Sequence, residues 1–176
     1  MNTTEESPVR KEEREEFFKL LENDIIKEYL DQDRCLRTSD KFLLAMVLAY
    51  FHRAKMDLDE YNVLMFFTAL SLANMVEEDE PFQREIYPWV LGQTWFVLLP
   101  EFERLRNLFW ERMNYRGLVT RSTCEQIMGE DPMHWAWLRV RKDHHSWVFR
   151  SHLRWKDEYR LRGPGRSPIN CYLCAF

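Results

Sequence analysis

The sequence predicts an all-α protein: one helical domain followed by a poorly structured basic tail. Residues 42–51 are ten consecutive apolar or aromatic side chains, half of the roughly 20 that a membrane-spanning helix needs. They do not alternate with polar residues as a half-buried strand does. Elsewhere apolar residues recur at spacings of three and four, and no strand ladder or internal repeat is visible. A length of 176 residues suits one domain.

Two helices are predicted first. Phe17, Leu21 and Ile25 form one apolar stripe, which predicts an amphipathic helix over 12–30. A helix that is apolar all round must be buried on every side, so residues 38–55 predict a central core helix. Thr38 and Ser39 are its expected N-cap residues, with Asp40 in the first turn.

The remaining elements are shorter or less regular. Asp57 and Glu60 have capping-box spacing, which predicts a helix from there to about residue 76. Pro88 and Gly92 limit a short helix or turn at 86–89, and one-sided apolar spacing predicts a helix over 101–115. A short helix over 122–128 ends at Gly129, and a Trp-rich helical turn covers 134–141.

Charge is distributed unevenly along the chain. Residues 139–166 hold seven Arg and two Lys against three acidic residues, a net charge of +6, whereas the whole chain carries −4. Since residues 167–176 are uncharged, the first 138 residues carry −10. An acidic body and a basic tail indicate different partners for each, or a contact between the two.

These patterns predict three regions: a disordered segment at 1–11, a helical domain at 12–141, and a basic aromatic tail at 142–176. No signal peptide or transmembrane run is visible, so no membrane association is expected. The four cysteines are scattered and do not form a secreted disulfide framework. An intracellular protein is expected.

The clearest candidate for a binding site is the acidic run Glu77–Glu80 at the end of a predicted helix. Negative charge there opposes the helix dipole and costs about 0.3–1 kcal/mol per exposed residue. One interpretation is a solvated loop, and the other is a site that meets arginines or lysines of a partner. Asp33 and Asp40 flank the start of the central helix.

Other chemistries have little support. Cys171 and Cys174 have metal-ligand spacing but no second pair, so they are weak zinc candidates and no metal is predicted. The nucleotide-binding, metalloprotease and hydrolase motifs are absent, so neither an enzyme nor a cofactor nor a small-molecule substrate is expected. The basic aromatic tail suits nucleic acid, but the acidic body argues against a dedicated nucleic-acid protein.

Three stretches together resemble the Speedy/RINGO family. They are SDKFLLAMVLAYFHRAK, FFTALSLANMVEEDE and EIYPWVLGQTW, joined by HWAW and by RGPG with the final C-x-x-C. The resemblance runs from about residue 16 to residue 174.

The resemblance implies a single cyclin-box-like domain that binds a cyclin-dependent kinase and activates it without phosphorylation of the kinase's activation segment. Asp40 matches a family position implicated in holding that segment, and Asp33 one linked to kinase binding. Glu77, Glu78 and Asp79 are expected near the same basic kinase surface. A nuclear role in cell-cycle or meiotic progression is also implied. The alternative is a helical adaptor that binds a kinase or another partner without activating it.

Overall fold

The computed structural model describes residues 6–78, 83–142 and 163–166, and the described residues contain seven α-helices and no strand. The helices are α1 (Lys11–Leu21), α2 (Asp24–Gln32), α3 (Lys41–Arg53), α4 (Val63–Glu77), α5 (Gln83–Leu91), α6 (Trp95–Arg112) and α7 (Arg121–Gly129). Two 3-10 turns cover Leu58–Glu60 and Trp135–Leu138. The predicted all-α class is confirmed. No helix in these ranges is both long and apolar enough to span a membrane.

Helix α3 is the central core helix that the sequence predicts. Its nine consecutive residues 43–51 are all buried, because α1, α4, α7 and the second 3-10 turn surround it. The N-cap is Asp40, whose carboxylate accepts a hydrogen bond from Leu43 N at 2.9 Å. The predicted caps, Thr38 and Ser39, instead lie in the buried loop before the helix.

Helix α4 is a second helix whose central residues are buried all round. Residues 66–74 are all buried, between α3 on one side and α5 and α6 on the other. Two of its buried polar side chains donate hydrogen bonds inside the protein: Thr68 donates to the Leu64 carbonyl and Asn74 to the carbonyls of Leu70 and Thr38. Asn62 caps this helix, and the Asp57–Glu60 capping box belongs to the preceding 3-10 turn.

Two helix boundaries differ from prediction. The single helix expected over 12–30 is two helices, because the Asn23 side chain accepts from the backbone N–H of Ile25 and Ile26 and so caps α2. Helix α6 begins at Trp95, six residues before the predicted start at 101. Pro100 lies inside this helix, although proline has no backbone N–H to donate.

Both ends of the described chain lie against the helical body. Within the segment predicted to be disordered, Glu6 forms an ion pair with Arg53 at 2.6 Å. Near the other end, residues 163–166 form a turn closed by Arg166 N donating to Gly163 O. That turn is fixed on α2, where Gly165 N donates to Glu28 at 2.7 Å.

Replacing Phe51 by Ala is expected to lower the free energy of unfolding by about 3–5 kcal/mol, the usual loss for a buried phenylalanine. Its side chain is fully buried, and its ring meets those of Phe17, Tyr61 and Phe109. Phe96→Ala is the matched control, because that ring is 61% exposed. Urea unfolding should show a lower midpoint for the first variant and little change for the second. Equal midpoints would contradict the assignment of the core.

Candidate functional site

The site begins with Asp33, the residue that ends α2. Its carboxylate is buried and accepts hydrogen bonds from the backbone N–H of Arg37 and Thr38, both at 3.0 Å. It also accepts from the hydroxyls of Thr38 at 3.0 Å and Ser39 at 2.7 Å. Four donors converge on one carboxylate, so Asp33 fixes the loop that leads into α3.

The charge of Asp33 is balanced by Arg139. Burial by itself would raise the pKa of Asp33, but the Arg139 charge and the hydrogen bonds from Ser39 and Thr38 outweigh it and hold that pKa below its usual range. Arg139 donates in turn to the Ser39 carbonyl at 2.8 Å and to the Leu30 carbonyl at 3.1 Å. The loop before α3 is thus tied to the segment that follows the second 3-10 turn.

Asp40 and Glu78 face each other across Arg141. The Arg141 guanidinium lies 2.8 Å from a Glu78 carboxylate oxygen and 3.7 Å from an Asp40 carboxylate oxygen. Asp40 begins α3 and Glu78 follows the last residue of α4, so the packing of these two helices brings the carboxylates together. All three side chains are only 12–13% exposed.

Glu77 is the exposed member of this group. Partial burial of its carboxyl raises its pKa, the negative charges of Glu78 and Asp40 raise it further, and Arg141 opposes the change. The pKa of Asp40 is raised by burial and by Glu78 and Asp33, again against the effect of Arg141. We call Asp40, Glu77 and Glu78 the acid cluster. When ionised, the cluster carries three negative charges, and Arg141 offsets one of them.

Comparison with known proteins identifies the family. A sequence model of the Spy1 family, described as a cell cycle regulatory protein, matches residues 12–141. The chain belongs to this family. Speedy protein A of Rattus norvegicus is 45% identical over 169 residues, which are 95% of this chain and 54% of the relative. Speedy protein C of Homo sapiens is 45% identical over 161 residues, 90% of this chain and 58% of the relative. The chain spans little more than half the length of these curated relatives.

The Speedy/RINGO resemblance is therefore confirmed, and this chain is a member of a family of cell cycle regulators. The acid cluster joins two of the stretches that carry the resemblance, since Asp40 precedes KFLLAM and Glu77 and Glu78 lie in VEEDE. In the folded chain these two stretches meet at one site, although more than 30 residues separate them in sequence.

The predicted site residues fall into three groups. Asp40, Glu77 and Glu78 come together, whereas Asp33 lies behind them with its oxygens bonded to its own loop. Asp79 lies outside the described residues. Arg139 and Arg141 were not predicted as site residues, and the signal that pointed to them was the contrast between acidic body and basic tail. These two arginines begin the basic stretch 139–166 and contact acidic residues of the helical domain.

The zinc candidates Cys171 and Cys174 also lie outside the described residues. Within the part of the chain that the structure describes, no three His, Cys, Asp or Glu side chains are grouped to hold a metal ion. Cys124 is a free, buried thiol on α7, and burial raises its pKa to about 12, with Glu77 and Asp40 adding to the effect. A thiol with that pKa stays neutral and is a poor nucleophile at physiological pH.

Ser7, His52 and Glu13 have the residue types of a catalytic triad, beside an open cavity of about 400 Å³. His52 Nδ1 lies 2.9 Å from Glu13, and Nε2 lies 3.0 Å from the Ser7 hydroxyl. However, Nε2 is also 2.8 Å from the Ser7 carbonyl oxygen, which can only accept a hydrogen bond. Because Nε2 must donate to that carbonyl, it has no lone pair with which to activate the hydroxyl. The arrangement holds the N-terminal segment on α3.

Asp33→Asn is expected to lower the free energy of unfolding by about 3 kcal/mol. It removes the negative charge that pairs with Arg139, and it places the NH2 group of an amide against the hydrogen-bond donors of residues 37–39. Since the folded-state pKa of Asp33 is depressed, its contribution is present at neutral pH and is lost as the pH falls through that pKa. The variant should therefore lose less stability on acidification than the wild type.

Asp31→Asn is the control, since Asp31 is exposed and close in sequence. Thermal and urea unfolding at neutral and acidic pH would provide the comparison. Wild-type stability in Asp33→Asn at neutral pH would contradict the role given to this carboxylate.

Proposed function

We propose that this protein binds a cyclin-dependent kinase and orders the kinase's activation segment without activating phosphorylation. The observation that carries the proposal is the acid cluster, in which Asp40, Glu77 and Glu78 meet at the junction of α3 and α4 around Arg141. The protein would act as a non-enzymatic regulatory subunit. A nuclear location and a part in meiosis remain predictions from the family resemblance.

The chemistry of kinase activation supports this proposal. A phosphorylated activation segment is held by arginines of the kinase that pair with the phosphate. Without the phosphate those arginines lack an anionic partner. Carboxylates of a bound protein are able to replace it, since each charge-assisted hydrogen bond contributes about 1.5–3 kcal/mol.

The position of the cluster on its helices also favours a partner. Asp40 stabilises the start of α3, where negative charge is favourable. Glu77 ends α4 and Glu78 follows it, where negative charge opposes the helix dipole and costs about 0.3–1 kcal/mol each when exposed. Arg141 offsets that cost for Glu78, and a cationic partner would offset it for the exposed Glu77.

The energies are compatible with activation. Changing the ratio of active to inactive kinase from 1:99 to 99:1 requires the activator to bind the active state more tightly by about 5.5 kcal/mol. Two or three charge-assisted pairs, together with an apolar helix interface against the αC helix of the kinase, are sufficient. Asp33 would contribute indirectly, by fixing the loop that positions Asp40, because its own oxygens are already bonded.

The double variant Asp40→Asn/Glu77→Gln is expected to lower activation of a purified, unphosphorylated cyclin-dependent kinase by at least about tenfold, the effect of losing roughly 1.4 kcal/mol. Both substitutions keep side-chain size and remove negative charge. Glu101→Gln/Glu103→Gln is the matched control, because it removes two charges from exposed positions on α6. Phosphorylation of a peptide substrate measures the result. Full activation by the cluster variant would remove these carboxylates from the mechanism.

The second candidate function is an adaptor that binds a kinase, or another partner, without activating it. One observation favours it: Arg141 already pairs with two of the three cluster carboxylates, which leaves less charge for a partner. Binding measured by calorimetry alongside the activity assay separates the two functions. Binding without activation would support the adaptor.

A further inference from the structure

Arg141 is held more firmly than an ordinary surface arginine. Besides its contacts with Glu78 and Asp40, it donates to the Leu36 carbonyl at 2.8 Å and to the Arg37 carbonyl at 3.1 Å. Its side chain is 12% exposed. Leu36 has a φ of 56°, a left-handed conformation that is unfavourable for leucine. Arg141 therefore ties the acid cluster to a strained loop.

The neighbouring residues fix the backbone from which Arg141 extends. Lys41 N at the start of α3 donates to the Arg139 carbonyl at 2.8 Å. The Arg139 side chain reaches the Ser39 hydroxyl at 2.8 Å and the Leu30 carbonyl at 3.1 Å. Both guanidinium groups point into the body, and Val140 between them is 60% exposed. We call residues 139–141 the arginine strap.

We propose that Arg141 is a positioning residue of the acid cluster: it stays in place when the partner binds and holds Asp40 and Glu78 side by side for the partner's arginines. This inference rests on the proposed function for the identity of the partner. The alternative is that Arg141 competes with the partner's arginines for the carboxylates of Asp40 and Glu78, and must move away before the partner binds. The two bonds to backbone carbonyls and the low exposure favour the positioning role, because displacement would break both of these bonds as well as the contacts with the carboxylates.

Charge repulsion gives the physical reason why such a residue is needed. Two carboxylates at the end of α4, those of Glu77 and Glu78, lie near Asp40. Asp33 at the end of α2 and the neutral thiol of Cys124 on α7 also lie near it. The positive groups facing it are Arg139 and Arg141 of the strap. Burial and the neighbouring acids raise the pKa of Asp40, and Arg141 is the largest influence that lowers it.

Removing Arg141 would raise the pKa of Asp40 further and would remove the group that holds Asp40 and Glu78 side by side. Arg141→Met is therefore expected to weaken binding of a purified, unphosphorylated cyclin-dependent kinase by about 10- to 100-fold at neutral pH, as for the loss of one charged hydrogen bond. Arg141→Lys should rescue binding partly, since it keeps the charge but not the planar set of donors.

Two measurements test this proposal. Calorimetry gives the kinase affinity of each variant across pH, and carbon-13 NMR gives the titration of the Asp40 carboxyl in the protein without kinase. Arg112→Met is the matched control, because Arg112 likewise bridges a backbone carbonyl, that of Ala54, and a carboxylate, that of Glu60. The expected result is a higher Asp40 midpoint and weaker binding for Arg141→Met only, with Arg141→Lys between it and wild type.

An unchanged Asp40 titration in Arg141→Met would overturn the proposal, and so would tighter kinase binding, which would make Arg141 a competitor. Should Arg141→Met fail to fold, Arg141→Lys decides by itself: wild-type affinity and an unchanged Asp40 carboxyl signal would overturn the positioning role. Absence of kinase binding by the wild type would overturn the proposed function and the identity of the partner. The Asp40 titration would still support or overturn the positioning role.

Discussion

The carboxylate of Asp33 is buried, and the cost of removing that charge from water shapes the loop before α3. A buried ion needs an opposite charge and hydrogen-bond donors. Arg139 supplies the charge, and the backbone and hydroxyls of residues 37–39 supply the donors. Satisfying one carboxylate therefore fixes the path of the chain into α3 and draws residues 139–141 against it. The acid cluster depends on the path of this loop, which places Asp40, and on the position of residues 139–141, which places Arg141.

The cluster itself combines two helix ends. Burial of residues 43–51 of α3 and 66–74 of α4 leaves little freedom in how the two helices pack, so the start of one helix and the end of the other are held at a fixed separation. Asp40 and Glu78 are placed by those helices and bridged by Arg141. The outcome is a rigid, partly neutralised anionic site. Rigidity favours recognition, because little conformational entropy is lost when a cationic partner binds.

Much of this architecture could be predicted from local sequence, because a helix with an uninterrupted apolar run such as 42–51 must be buried on all sides in a folded domain. The burial of α4 could not, since Thr68, Ser71 and Asn74 look like a solvent face until their internal partners are known. Asp40, Glu77 and Glu78 were singled out individually and through the family resemblance. Their meeting around Arg141 depends on pairings across 63 residues or more, which no local pattern encodes.

Hydrogen–deuterium exchange of the kinase tests the central claim most directly, because it reports order in the activation segment itself. The account predicts that amides of an unphosphorylated activation segment become protected when this protein binds. At equal occupancy, the Asp40→Asn/Glu77→Gln variant should give much less protection there while still protecting the αC helix. Equal protection of the activation segment by the variant and the wild type would show that the carboxylates do not order it, and the account would be wrong.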